Sequence, residues 1–397
     1  MKALIVGAGV CGPVAAMALQ RAGIDTTVYE AHQPTAESVG SYLTVATNGL
    51  DALRAIGAER RVLAAGFPTP EMVMFSGTGK RLGTVPLGGT LADGTVSHTI
   101  RRAHLHKAVH DEATSRGLHI EFGKRLVTVN STAQGIAAHF DDGLEAVGDV
   151  LIGCDGVHSV TRRVIDSTAP APRYVGLLNF GGYTETVAAG APRTWHMIFG
   201  KRAFFGYVPD PTGGTVWFAN VPRHPSTRAE RQSTTNEQWK EWLLEQFADD
   251  RGPARDLITA GRLELAADNT HDLPTVPRWS SGPMIVIGDA AHAPTPSSGQ
   301  GASLAIEDAV ILARCLRESP DAPGAFAAFE QHRRHRVERI VAQGARTSSS
   351  KAMGPVGRRL RDLMLPILFR YVITEKSMAW MYDHHVEWDS PIVAGEA

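Results

Sequence analysis

Cysteine is scarce: Cys11, Cys154 and Cys315 are the only three in 397 residues, widely spaced and without a C-x-x-C pair. That excludes a disulfide framework and offers no zinc-binding pattern, so a reduced, cytoplasmic setting is expected. Charge of one sign is also missing. Forty Lys and Arg against 41 Asp and Glu leave a formal net charge of −1, which gives no global attraction to nucleic acid or anionic membrane. No stretch reaches the roughly 18 unbroken apolar residues of a membrane helix. The apolar N-terminus is broken by glycines and followed by a strand pattern, which argues against a signal peptide. What remains is an ordinary globular composition in a chain long enough for about two domains.

The stretch with most information is the first thirty residues. Lys2, Ala3, Leu4, Ile5 and Val6 form a short apolar run that leads into Gly7-Ala8-Gly9-Val10-Cys11-Gly12, a G-x-G-x-x-G turn. Cys11, Ala15, Ala18, Leu19 and Ala22 then recur at helical spacing until Gly23 supplies a stop. A β-rich run follows from Asp25 and ends in Glu30, at about the 20-residue offset where an acid can hold a ribose hydroxyl. Strand, turn, helix, strand and acid in this order make a dinucleotide-binding unit. Gly7 serves the tight turn, Gly9 lets the backbone approach a pyrophosphate, and Gly12 lets the helix press on the strand.

Farther along, the spacing predicts a helix over 49–64 broken near Gly57, a hairpin around Gly77-Thr78-Gly79, a helix opening at Arg101-Arg102, and alternating strands over 117–152. Arg101 and Arg102 read as surface charge at a helix start, or as partners of a phosphate. Two further motifs stand out. Val150-Leu151-Ile152-Gly153 delivers Cys154-Asp155-Gly156 onto a turn, where Asp155 reads either as a side-chain cap or as a ligand contact at a strand's carboxyl end. Residues 284–301 carry an apolar strand, Gly288-Asp289-Ala290-Ala291-His292, a Pro/Ser/Gly loop, and a helix start at Gly301 with Glu307-Asp308 inside it. His292 has no metal-ligand companions at motif spacing and reads first as a structural histidine; no metal site is expected.

Between 173 and 280 the runs become aromatic-rich and predict an antiparallel sheet. Alternation puts Trp195, Met197 and Phe199 on one face and Thr194, His196 and Ile198 on the other. Trp239 and Trp242 lie on an amphipathic helix and read as packing. The basic runs 331–339 and 358–361 read as solvated helix faces.

With the three motifs together, the chain resembles the para-hydroxybenzoate-hydroxylase-like single-component FAD aromatic monooxygenases. The matches are Gly7, Gly9, Gly12 and Glu30; then Gly153, Asp155, Gly156, Ser159 and Arg162; then Gly288 to His292, Pro296, Gly299, Gln300, Gly301, Glu307 and Asp308. His104, Ser303 and Tyr42 depart from the family pattern. The resemblance implies an α/β fold with a Rossmann-like, discontinuous FAD-binding domain (1–70, 96–170 and 281–345), a β-sheet substrate domain (71–95 and 171–280) and C-terminal helices (346–397). It further implies that Glu30 binds the adenosine ribose, the glycine turn the pyrophosphate, Arg102 a phosphate or the ribityl region, and Asp289 the ribityl chain. The loop carrying Pro296, Gly299 and Gly301 would border the isoalloxazine, and Asp155 would belong to a motif shared by FAD and NAD(P)H contacts.

The implied reaction is hydroxylation of an aromatic or polycyclic small molecule by O2 and NAD(P)H through a flavin C4a-hydroperoxide. With one nucleotide fingerprint, NAD(P)H is expected to bind transiently on the FAD domain. His196 and Tyr207 are the candidates for deprotonating a phenolic substrate. A flavin epoxidase or halogenase relative and a non-catalytic flavin sensor or assembly protein are the alternatives, although no Trp-x-Trp-x-Ile-Pro segment of a halogenase occurs: Trp239-Lys240-Glu241-Trp242 has the wrong spacing.

Overall fold

The computed structural model describes residues 1–33, 41–132, 135–349, 351 and 354–391; the end of the expected C-terminal segment, 392–397, lies outside them. Lys2–Val6 buries four consecutive residues, so both of its faces must be covered. It lies inside a six-stranded sheet with the order Ser280–Ser281, Met284–Val286, Val150–Gly153, Lys2–Val6, Asp25–Glu30, His119–Phe122. All neighbours run parallel except the first pair. Successive side chains point to opposite faces. Ala3, Ile5, Val28 and Ile152 therefore enter a core with the helices Cys11–Arg21 and Gly301–Glu318. Leu4, Val6, Tyr29 and Leu151 pack against a three-stranded antiparallel sheet of Leu126–Thr132, Gly135–Phe140 and Glu145–Gly148. Burying each large apolar side chain contributes roughly 1.5–3 kcal/mol, which makes this double-sided strand the anchor of the nucleotide-binding region.

The helical run over 49–64 is two helices, Thr47–Ala55 and Glu59–Ala65, separated at Gly57, whose φ is +66°. The hairpin around Gly79 is formed by Glu71–Ser76 and Arg81–Pro86. That hairpin joins the second large sheet, whose seven strands follow the order Arg262–Asp272, Arg173–Thr184, Thr215–Pro222, Phe204–Pro209, Thr194–Phe199, Glu71–Ser76, Arg81–Pro86. The strands between 173 and 280 pair antiparallel with one another, as the sequence suggests; the hairpin attaches to them through a parallel pair, Glu71–Ser76 with Thr194–Phe199. A parallel pair needs a long crossover, and the intervening chain supplies it by first forming two strands of the six-stranded sheet, His119–Phe122 and Val150–Gly153.

Phe180, Ile198, Phe205, Tyr207 and Trp217 fill one face beneath the helices Asn236–Gln246 and Ala254–Ala260, which contribute Trp239, Leu243 and Leu257. The opposite face carries Trp195, Met197, Phe199, Phe204 and Phe218, partly covered by Leu365 and Phe369 of the helix Pro355–Tyr371. A single helix, Ala322–Ser349, runs through the expected boundary at 345/346. Among the described residues no helix is long and apolar enough to cross a membrane.

Candidate functional site

Steric demands inside the protein account for two glycines of the first turn but not for the third. Gly7 has φ +99°, and a Cβ there would stand 2.5 Å from the Cys154 carbonyl oxygen and 2.9 Å from the Asp155 Cα. A Cβ on Gly12 would stand 2.0 Å from the Gly7 carbonyl oxygen, whereas one on Gly9 would meet nothing within 4 Å. Gly9 thus keeps open a space that no protein atom needs. The helix Cys11–Arg21 that follows has no side-chain cap and no acid in its first turn, so its leading N–H groups are available to an anion.

Glu30 closes this turn from the next strand. Its carboxylate accepts hydrogen bonds from the Ala8 amide at 2.7 Å and the His32 amide at 2.9 Å. The Ala8 carbonyl accepts from His106 Nε2 at 3.0 Å and His110 Nε2 at 2.5 Å, the two rings stacking at 4.0 Å. Burial holds the His106 pKa below its ordinary value, favouring the neutral ring.

Asp155 is engaged within the protein. Its carboxylate accepts from Ser159 Oγ at 2.5 Å, from the amides of Val160 and Thr161 at 2.8 and 2.9 Å, and from Thr161 Oγ1 at 3.1 Å. It takes up the first two amides of the helix Val160–Ile165, whose N-cap is Ser159, and shapes the turn on which Gly7 rests. Buried Arg162 donates to the Ala290 carbonyl at 2.9 Å and the Val157 carbonyl at 2.8 Å, tying this turn to the Gly288–Ala290 turn.

Asp289 differs from both acids: among the described residues its carboxylate has no hydrogen-bond partner. Its side chain touches solvent, yet surrounding protein raises its pKa, opposed by the positive fields of His292 and Arg102. Both facts fit its place in the cleft between the starts of the helices Cys11–Arg21 and Gly301–Glu318: a Cβ on Gly301 would stand 4.0 Å from Asp289 Oδ1, and one on the preceding Gly288 3.2 Å from Cys11 Sγ. Arg102 is exposed at the start of the helix Arg102–Ser115 and pairs with no carboxylate among the described residues, while neighbouring Arg101 binds Glu264 at 2.6 Å and lies over the Tyr42 ring. Pro296 and Gly299 are exposed on the turn Pro296–Ser298, and Gly299 has φ +65°. The helix Gly301–Glu318 beyond it is again without a side-chain cap or an acid in its first turn. Ser303, in place of the family's frequent asparagine, accepts the Ala46 amide at 3.0 Å and locks Thr47–Ala55 against this helix.

Below the cleft lies an ionic cluster that corrects one sequence reading. Arg333 is fully buried, not on a solvated helix face; it pairs with Glu307 at 2.6 Å and Asp308 at 2.7 Å. Arg336 pairs with Glu307 at 2.8 Å, Asn48 donates to Glu307 at 2.6 Å, and His292 Nε2 meets Asp308 at 2.6 Å. The Gly288 amide donates to Asp308 at 2.9 Å. Two carboxylates inside an otherwise apolar helix require cations; that requirement was the available signal for Arg333. His292 takes the structural role expected of it. Arg361 likewise departs from its expected solvated face, lying buried over the Phe199 ring at 4.3 Å.

His196 and Tyr207 are not brought to the cleft. They stack on each other at 4.8 Å, Phe75 lies beside His196, and Tyr207 belongs to the cluster under the helices, its hydroxyl bound to the Ala189 carbonyl at 3.1 Å. Alternation separated the faces correctly, but which face meets the cleft is a tertiary property. The opposite face carries Asn179 and Asn220 and, reaching in from the chain after the helix Ala322–Ser349, Lys351, a residue in no motif; three residues before it, Ser348 is hydrogen-bonded to Thr295 and Ser297 of the loop that follows Asp289.

A family described as FAD binding domain matches residues 1–344. The FAD-dependent urate hydroxylase of Klebsiella pneumoniae is 31% identical over 334 residues, covering 82% of this chain and 84% of the relative. The aurachin C monooxygenase/isomerase of Stigmatella aurantiaca is 30% identical over 334 residues, covering 82% and 83%. The crystal structure of Klebsiella pneumoniae HpxO complexed with FAD and uric acid superposes with a TM-score of 0.83 at 27% identity, covering 96% of this chain and 97% of that one.

Proposed function

The chain belongs to the single-component FAD aromatic hydroxylase family, and on that premise we propose that it hydroxylates an aromatic or polycyclic small molecule with NAD(P)H and O2. It is an FAD-dependent monooxygenase. The observation that carries the cofactor assignment is the fit of the cleft: an unpartnered Asp289 carboxylate lies between two helix N-termini without side-chain caps, with Gly9 leaving room for backbone approach. These are the donors and acceptor that a pyrophosphate and a polyhydroxyl chain require.

FAD, when bound, supplies hydride acceptance and oxygen transfer, and the protein supplies position and electrostatics. Asp289 would hold the ribityl hydroxyls, Arg102 a phosphate, and the turn at Gly7, Gly9 and Gly12 the pyrophosphate. Glu30 would use its remaining acceptor capacity on the ribose while keeping the Ala8 amide in place. The N-terminus at Gly301 would stabilise negative charge where the Pro296–Gly299 loop borders the ring. Asp155 would act through the backbone it shapes. The FAD domain would comprise 1–70, 96–170 and 281–345, and the substrate domain 71–95 and 171–280. Three buried, unpaired cysteines suit a cytoplasmic setting.

The direct test is to purify the protein with FAD and screen aromatics for stimulated NADPH oxidation and a product heavier by one oxygen. Bound flavin that NADPH fails to reduce with every compound would favour the non-catalytic reading. Asp289→Ala is expected to weaken FAD binding at least tenfold, about 1.4 kcal/mol, without destabilising the FAD-free protein. The sign follows from the raised pKa: the ionised carboxylate costs stability above the ordinary carboxyl value. FAD-free Asp289→Ala should therefore unfold at the same or higher temperature than wild type at pH 7, and the difference should vanish in acid, where the wild-type carboxyl is neutral folded or unfolded.

A further inference from the structure

Lys351 has no place in any motif, yet its ammonium nitrogen reaches Asn220 Oδ1 at 2.7 Å in the second sheet. Asn220 is buried and its amide donates to Asn179 Oδ1 on the adjacent strand, so the three polar groups form one row. Around them the wall is apolar: the Lys351 nitrogen lies 4.1 Å from the Phe204 ring centroid and 5.9 Å from that of Phe218. The same stretch of chain is tied to the loop near Asp289, because Ser348 Oγ bonds Thr295 Oγ1 and Ser297 Oγ, each at 2.9 Å. Lys351 thus stands between the Pro296–Ser298 turn and the sheet face opposite the helix-packed one.

Resting on the hydroxylase reading above, we propose that Lys351 binds the acidic hydroxyl of a planar phenolic substrate, with Asn220 and Asn179 orienting the amine and Phe204 and Phe218 walling the ring. An ammonium has three N–H donors and Asn220 takes one, which leaves donors for a substrate oxygen. No carboxylate pairs with Lys351 among the described residues; the neighbouring cation, Arg361, lies over Phe199 and pairs with Asp362. Burial draws the Lys351 pKa down to about 7. A neutral amine can therefore take the phenol proton: the O–H bond breaks, an N–H bond forms on the amine lone pair, and a phenolate–ammonium pair results. The phenolate ring is the more electron-rich form, suited to attack by an electrophilic oxygen.

The probes are 4-nitrophenol and its methyl ether 4-nitroanisole, titrated into the FAD-loaded protein without NADPH and followed by perturbation of the flavin spectrum. Wild type should bind the phenol at least tenfold tighter than the ether. Lys351→Met and Lys351→Gln should erase that preference and leave ether binding within about twofold; Gln serves should Met fail to load FAD. A wild-type protein without the preference, or a preference that survives both substitutions, overturns the proposal. Normal FAD loading in either case leaves the hydroxylase reading intact, so the two can fail separately.

Discussion

Replacing Arg333 by methionine is expected to destabilise the protein by about 3–5 kcal/mol, the cost of leaving buried carboxylates without their cation. Urea unfolding of the FAD-free protein measures it. Burial alone pushes the Glu307 and Asp308 carboxyls up, but Arg333 and Arg336 at the first, and His292 and Arg333 at the second, more than reverse the effect and hold both below their ordinary values. Depressed carboxyls contribute stability that is complete above their unfolded values, near 4.5 and 3.8 for these two, and is lost as pH falls through the folded ones. Wild-type stability should accordingly drop from about pH 5 downward, and Arg333→Met, less stable at pH 7, should show the shallower slope. Because Asp308 also accepts the Gly288 amide, the variant should bind FAD more weakly as well.

The second large effect separates two glycines of one turn. Gly12→Ala places a methyl group 2.0 Å from a backbone carbonyl that has no rotamer to escape through, and should cost at least the 1–3 kcal/mol typical of overpacking. FAD binding should be lost with it. Gly9→Ala meets no protein atom, and Gly9 is outside the positive-φ region, so the FAD-free protein should gain about 0.4–1 kcal/mol from a less flexible unfolded chain. The same methyl group faces the space reserved for the cofactor, and FAD affinity should fall by roughly a hundredfold, about 2.7 kcal/mol. Thermal unfolding and FAD titration of both variants decide it; equal FAD affinities for Gly9→Ala and wild type would mean that the pyrophosphate lies elsewhere.

What could be read from the sequence was what short-range geometry enforces. The turn at Gly7 and Gly12 is written in residue types because no Cβ fits there, and the apolar run from Ala3 to Val6 announces a strand covered on both faces. Asp155 was legible in both its readings, and the structure engages its carboxylate at the start of a helix. Tertiary partners left weaker marks. Glu307 and Asp308 were visible as a motif, but their cations come 25 or more residues later, in a helix whose arginines look like any solvated basic face. Alternation sorted His196 from Met197 without saying which side looks into the cleft. Lys351 follows no period, and only the folded chain sets it beside Asn220.

The hairpin of Glu71–Ser76 and Arg81–Pro86 is the outermost pair of strands of the second sheet, and its first strand runs in register with Thr194–Phe199 through six residue pairs. A fragment cut at residues 171 and 280 would lose that pair and present an aromatic-rich edge to other chains, the situation that invites edge-to-edge association. Any chimera that exchanges the aromatic sheet between relatives to alter selectivity therefore has to transplant two separate pieces of sequence together.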